Sequence, residues 1–187
     1  MYLDGEFYIT LPTELVLQQG LQVGMPFGDE ELDTLTFAAQ LIPAKEKAYR
    51  FLDYGDLSRR KLAEKLVQSG FSPDVAEAAC NKMEEQGFLD DERLALRWAR
   101  RFAESKYWGP RRILPELLQR GFSCETAREA LDRLDTDWCD SIRHHLETKY
   151  RSYDLSDRKQ LQKVSQGLQR YGFDFEDIRS VINEYDD

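Results

Sequence analysis

Leu117-Leu118-Gln119-Arg120-Gly121-Phe122-Ser123, residues 117–123, is the stretch that decides the fold. An apolar run of helical character meets a glycine, and an aromatic residue and a capping serine follow at once. The Gly-Phe pair recurs at Gly70-Phe71 and at Gly172-Phe173, 51 residues to either side with no insertion. Other apolar positions keep the same register: Phe51, Phe102 and Tyr153; Leu62, Ile113 and Val164; Leu66, Leu117 and Leu168; Cys80, Leu131 and Ile182. A fixed period of this size is the signature of a repeat architecture. The glycine reads as a left-handed helix stop, where a residue with a Cβ would be strained. The Phe after it reads as a packing residue that folds back on the helix it leaves.

The punctuation yields three helices per unit. In the first unit Ala44–Leu52 is one helix, a second runs from a Ser58 cap to Ser69, and Ser72-Pro73-Asp74 opens a third ending near Gly87. In the second, Leu94–Ser105 leads, Pro110–Arg120 follows, and Ser123-Cys124-Glu125 starts the third. The last unit has Ser141–Arg151, a helix ending at Tyr171, and a helix opened by Asp174-Phe175-Glu176-Asp177. Upstream, Asp4-Gly5 is a two-residue hairpin signal before Glu6-Phe7-Tyr8-Ile9-Thr10-Leu11. The strand before it is a stub of about three residues, unless further sequence precedes it. A short helix from Pro12 and a second from Asp29 to about Leu41 follow, and Pro43 punctuates the chain. The expected fold is all-α: three tandem three-helix repeats in an elongated, curved array, with a small N-terminal β-hairpin/helix appendage. The divisions are 1–43, 44–93, 94–138 and 139–187. Each unit alone buries little apolar surface, and stacked neighbours share a core.

With 187 residues, mean hydropathy −0.64 and 33% charged residues, the chain has no apolar run long enough to span a bilayer. Its first residues lack the basic-then-apolar pattern of a signal peptide, so the cytoplasm is the expected compartment. Three cysteines without CxxC spacing argue against a disulfide framework, and Cys80 on an apolar face reads as a buried thiol. No GxGxxG, GxxxxGK[ST], HExxH or GxSxG occurs. The adjacent His144 and His145 point about 100° apart on a helix, cannot chelate one metal together, and are expected at the surface. Asp90-Asp91-Glu92 precedes a helix and reads as capping. No catalytic constellation and no cofactor site appears, so an enzyme is not expected.

The net charge of −9 is unevenly spread. Residues 1–43 contain seven acids and no Lys or Arg, whereas residues 94–135 contain nine bases and six acids. Arg93, Arg97, Arg100 and Arg101 follow i, i+4, i+7, i+8 and share one helix face, opposite Leu94, Ala95, Trp98, Ala99 and Phe102. Lys106, Arg111 and Arg112 continue the basic stretch, and Glu104 is the only acid between Arg93 and Arg112. Like charges so spaced repel, and an anionic partner relieves them: a phosphate backbone or an acidic protein surface. A solvated face paired with acids of neighbouring repeats is the other reading. Arg59-Arg60-Lys61 opens the matching helix of the first unit, and Arg158-Lys159 lies near that of the third, which hints at a shared groove. Tyr107-Trp108 between the two basic stretches is either core at a helix junction or a stacking platform for a base.

Several stretches resemble the RecX regulators of bacterial recombination. Phe51-Leu52 through Leu62-Ala63-Glu64-Lys65-Leu66 to Gly70-Phe71 is similar to their first unit. Gly87-Phe88-Leu89-Asp90-Asp91 with Leu94-Ala95, Trp98-Ala99 and Arg101-Phe102 resembles their joint between units. Gly109-Pro110-Arg111-Arg112-Ile113 with Leu117-Leu118-Gln119-Arg120-Gly121-Phe122 resembles the second unit. The likeness is strongest over about residues 44–135. It implies tandem three-helix units and a non-enzymatic monomer that binds the RecA filament. Such a protein inhibits the filament's recombinase, ATPase and coprotease activities, and so modulates DNA repair and the SOS response. DNA, single- or double-stranded, is a further partner under this resemblance, and an autonomous helical DNA-binding protein acting without RecA is the alternative. The contact candidates are Arg97, Arg100, Arg101, Lys106, Arg111 and Arg112, then Arg59, Arg60 and Lys61.

Overall fold

A computed structural model describes residues 1–185, in two compact units, Met1–Asp90 and a second beginning at Asp91. In the first unit Asp4 and Gly5, at φ +50° and +91°, turn β1 (Tyr2–Leu3) into β2 (Glu6–Phe7), pairing Tyr2 with Phe7 and Leu3 with Glu6. Both central residues at positive φ make this the hairpin turn the sequence signals. Helix α1 (Thr13–Gln18) follows, then α2 (Asp29–Tyr54), α3 (Arg59–Gln68) and α4 (Pro73–Glu85). Ser58 and Ser72 accept the N–H groups of Lys61 and Val75, capping α3 and α4 as expected.

One expectation fails here. The helix from Asp29 does not end before Pro43; α2 continues through it for 26 residues. Proline removes one N–H from the helical ladder and crowds the carbonyl four residues back. Tertiary packing on both sides of the break outweighs that. Leu35 and Ala39 bury against Leu15 in a small N-terminal core, while Ala44 and Ala48 enter a second core with Leu62, Leu66, Val75, Ala79, Cys80 and Met83.

The second unit holds α5 (Asp91–Lys106), α6 (Pro110–Gln119), α7 (Cys124–Asp132), α8 (Trp138–Thr148), α9 (Arg158–Tyr171) and α10 (Phe175–Tyr185). Helix α8 starts before the expected Ser141, because the Asp137 carboxylate caps it by accepting the Cys139 N–H at 2.8 Å. Trp138, inside its first turn, packs against the cores of both neighbouring three-helix sets. The 51-residue register is a burial register. Leu62, Ile113 and Val164 are fully buried, as are Leu66, Leu117 and Leu168.

The three Gly-Phe pairs end their helices in the same way. Gly70, Gly121 and Gly172 have φ of +98°, +93° and +97°. Each donates its N–H to the carbonyl three residues back, at 2.9, 3.0 and 2.9 Å. Each following Phe donates to the carbonyl five back, on Leu66, Leu117 and Leu168. This is the paired-bond Schellman stop. Phe122 and Phe173 are buried and Phe71 is half-buried, so all three pack as expected.

Candidate partner-binding face

Helix α5 separates its residues by face. Leu94, Ala95, Ala99, Phe102 and Ala103 are buried, and Arg93, Arg97, Arg100 and Arg101 are exposed. The stripe expected from spacing therefore exists on the folded helix. Arg100 has a long ion pair with Glu104, 3.8 Å on the same helix, and both side chains are more than half exposed. Such a pair contributes little, roughly 0–1 kcal/mol.

Beneath the stripe lies a stacked column. Trp98 and Phe102 are parallel-displaced with ring centroids 5.7 Å apart, and Phe102 and Trp108 continue the stack at 5.0 Å and 18°. Guanidinium groups close both ends. Arg120 lies 3.8 Å above the Trp98 ring and Arg101 5.2 Å from it. At the other end Arg112 lies 4.0 Å over Trp108 and 5.6 Å over Tyr171 of α9, with the Lys106 ammonium 5.1 Å from Trp108. Cation–π contacts of this kind contribute about 0.5–2 kcal/mol each, more where water is excluded. Both ring systems pack against the core of α5–α7, which favours the core reading of Trp108 over a base-stacking platform.

The α5–α6 connection docks on α8 and α9. Gly109 donates its N–H to the Tyr171 carbonyl at 2.8 Å, and Arg111 donates to the Gly172 carbonyl at 3.1 Å. A Cβ on Gly109 would sit 2.4 Å from the Gly172 oxygen, and one on Gly172 would sit 2.5 Å from the Arg112 nitrogen. The Arg111 side chain makes an ion pair with Asp174 yet stays largely exposed. Tyr107, before these residues, has φ of +50°, a conformation that strains a residue with a Cβ by about 1–2 kcal/mol. Its carbonyl meets the His145 Nε2 at 2.8 Å, and its ring stacks on His144 at 3.7 Å. His145 is 6% exposed, against the expectation that both histidines lie at the surface. Burial holds its pKa below the ordinary value, opposed by the Tyr107 hydrogen bond.

On the first unit, Arg59 reaches Glu77 and Glu84 and donates to Asn81 at 2.6 Å; its side chain is only 25% exposed. Arg60 and Lys61 both bind Glu64, at 2.9 and 2.7 Å. The Lys61 hydrogen bond, then that of Arg60, holds the Glu64 carboxyl below the usual range. These three bases are thus met by acids of their own unit. Arg100 of α5 is held less tightly by its acid, at 3.8 Å, and Arg112 is tied to aromatic rings. No group of three or more His, Cys, Asp or Glu among the described residues is arranged to hold a metal. Among the described residues, no helix is long and apolar enough to cross a membrane.

Three family models match: RecX first three-helix domain over residues 44–83, second over 90–131 and third over 135–182. The chain belongs to the RecX family. The regulatory protein RecX of Clostridioides difficile (strain 630) is 30% identical over 186 residues, covering 98% of this chain and 87% of that one. The regulatory protein RecX of Xanthomonas axonopodis pv. citri (strain 306) is 32% identical over 136 residues, 73% of this chain and 83% of its own. A crystal structure of regulatory protein RecX superposes with TM-score 0.74 at 22% identity, covering 97% of this chain and 91% of that one. RecX from Lactobacillus salivarius gives TM-score 0.71 at 22% identity, covering 80% and 98%. At that identity the likeness is one of fold. Membership in RecX accounts for the repeat plan read from residues 117–123 and places this chain among proteins named as regulators. Sequence reasoning located the α5 arginines but missed Arg120, His145, Lys149 and Tyr171, which join the column and the joint from 22 to 59 residues away.

Proposed function

We propose that this RecX chain binds the RecA recombinase filament and inhibits its recombinase, ATPase and coprotease activities, modulating DNA repair and the SOS response. It acts in the cytoplasm as a monomer, by occupying a surface and without catalysing a reaction. The observation that carries the reading is the α5 stripe: exposed arginines at helical spacing over a rigid aromatic column, in a chain of family-wide regulatory naming. Guanidinium groups on a preorganised face lose little freedom on meeting carboxylates or phosphates. Arg97, Arg100, Arg101 and Lys106 are the primary contacts. Arg111 joins them through its exposed head, and Arg112 contributes mainly by bracing the column. Arg59, Arg60 and Lys61 form the secondary set, because contact there must compete with Glu64, Glu77 and Glu84.

The test is RecA ATPase on single-stranded DNA with and without the purified protein. Concentration-dependent inhibition supports the reading, and no effect at micromolar protein removes it. Direct DNA contact within the filament is compatible with the same stripe. Autonomous DNA binding, the alternative, requires DNA affinity without RecA near physiological salt and a steep log–log salt slope.

A further inference from the structure

The connection from α5 to α6 carries Tyr107, Trp108 and Gly109 and ends in the two arginines of α6. Apart from Asp4 in the hairpin, Tyr107 is the one non-glycine residue among those described with a left-handed backbone. A residue held there needs its surroundings to over-determine it. What surrounds it is α8: the His144 ring lies flat on the Tyr107 ring, and the His145 Nε2 meets the Tyr107 carbonyl. A carbonyl only accepts, so His145 carries its proton on Nε2. The same imidazole lies 4.0 Å from the Tyr171 ring and 5.9 Å from Phe173. It therefore touches both partners of the joint: the strained loop, and the helix end whose carbonyls receive Gly109 and Arg111.

We propose that His145 is a positioning residue for the basic face: its neutral imidazole locks the Tyr107–Arg112 segment against α8 and α9, and so sets Arg111 and Arg112 relative to the α5 stripe. The proposal takes from the partner reading only what the face binds; the lock itself stands on geometry. Its sensitivity to acid follows from what faces the ring. His144 lies on the same helix and Lys149 is the residue that caps its C-terminus, and both lower the affinity of His145 for a second proton. Lys149 also donates to the Tyr171 hydroxyl at 2.8 Å, and Arg112 stacks on that same Tyr171 ring. An imidazolium in this setting would be buried among cations, and opening the joint to water relieves it.

Amide hydrogen exchange at Gly109 and Arg111 reads the lock directly, since both N–H groups bond across the joint. It is measured for wild type, His145→Leu and His145→Gln at about pH 7.5 and about pH 6, corrected for intrinsic rates. His145→Leu removes the donor and raises exchange at both amides on the order of tenfold, as expected for loss of one buried hydrogen bond. His145→Gln keeps a donor of similar reach and exchanges within about threefold of wild type. Acid loosens wild type, by at most about tenfold per pH unit for one proton, and leaves His145→Gln unchanged. RecA inhibition falls with His145→Leu and returns with His145→Gln. Unaltered exchange in a folded His145→Leu protein overturns the lock, and an opened joint with full inhibition overturns the positioning role. Should His145→Leu fail to fold, the acid response of wild type against His145→Gln decides the matter. If wild type itself has no effect on RecA, the partner reading fails while the exchange data still judge the lock.

Discussion

Alanine at Gly70 and alanine at Gly172 are the same substitution in the same backbone conformation, with φ of +98° and +97°, yet they should differ severalfold in cost. At Gly70 an added Cβ meets nothing within 4 Å. Only the left-handed strain applies, about 1–2 kcal/mol, partly offset by about 0.4–1 kcal/mol from a stiffer unfolded chain. The net loss is about 1 kcal/mol or less. At Gly172 the same Cβ would lie 2.5 Å from the Arg112 nitrogen, 2.6 Å from the Arg112 Cβ and 2.7 Å from the Gly109 oxygen. Two of these atoms are backbone and cannot rotate away, so overpacking adds about 1–3 kcal/mol. The total is about 2–4 kcal/mol. Urea unfolding measures it unit by unit, because the three tryptophans, Trp98, Trp108 and Trp138, all belong to the second unit. With a slope of about 1.5 kcal/mol/M, the Gly172→Ala fluorescence midpoint falls by about 2 M. Gly70→Ala leaves that midpoint in place and moves only the circular-dichroism transition of the first unit, by under about 1 M. Equal losses from the two substitutions would refute the close-approach argument and reduce Gly172 to an ordinary helix stop.

The double change Arg97→Glu with Arg101→Glu reverses the α5 stripe on exposed positions; it should weaken RecA inhibition about tenfold or more while circular dichroism stays native. Arg112→Lys keeps the charge but loses the planar stack on Trp108 and Tyr171, and should lower second-unit stability by about 1 kcal/mol with a shift in tryptophan emission. Because burial holds His145 below its ordinary pKa, the unfolded chain binds more protons than the folded one as pH falls through about 6.5. Second-unit stability is therefore full above that pH and declines below it, and His145→Gln should flatten the decline in urea titrations. Pro43→Ala restores a helical N–H in the middle of α2 and should raise the circular-dichroism midpoint of the first unit by an amount equivalent to about 1–3 kcal/mol.

The parts of this fold legible in its sequence are those set by neighbours in the chain. Gly70, Gly121 and Gly172 announce their stops because no other residue enters the left-handed region so easily. Ser58, Ser72 and Ser123 announce their caps because a short side chain reaches an N–H two or three residues on. The α5 stripe is legible for the same reason: helical spacing alone puts Arg97 and Arg101 on one face. What escapes is set by distant contacts. Pro43 reads as a break, and only two separate cores explain why α2 runs through it. His145 reads as a surface residue, since nothing near it in sequence reveals that Tyr107 and Tyr171 enclose it. Tyr107 carries no glycine-like signal at all for its left-handed backbone. Arg112 looks like Arg111 in the sequence, but one is held between aromatic rings and the other extends into solvent beside Asp174.

Helix α2 has a mechanical consequence. Its 26 residues make a rod about 39 Å long, one end seated in the N-terminal core and the other in the core shared with α3 and α4. The hairpin side and the helical side of the first unit are therefore joined by a lever with no loop in it. A rotation of about 5° where one end is gripped displaces the far end by about 3 Å over that length. Pro43, near the middle, is where the lever is weakest, because the helical ladder lacks one N–H there.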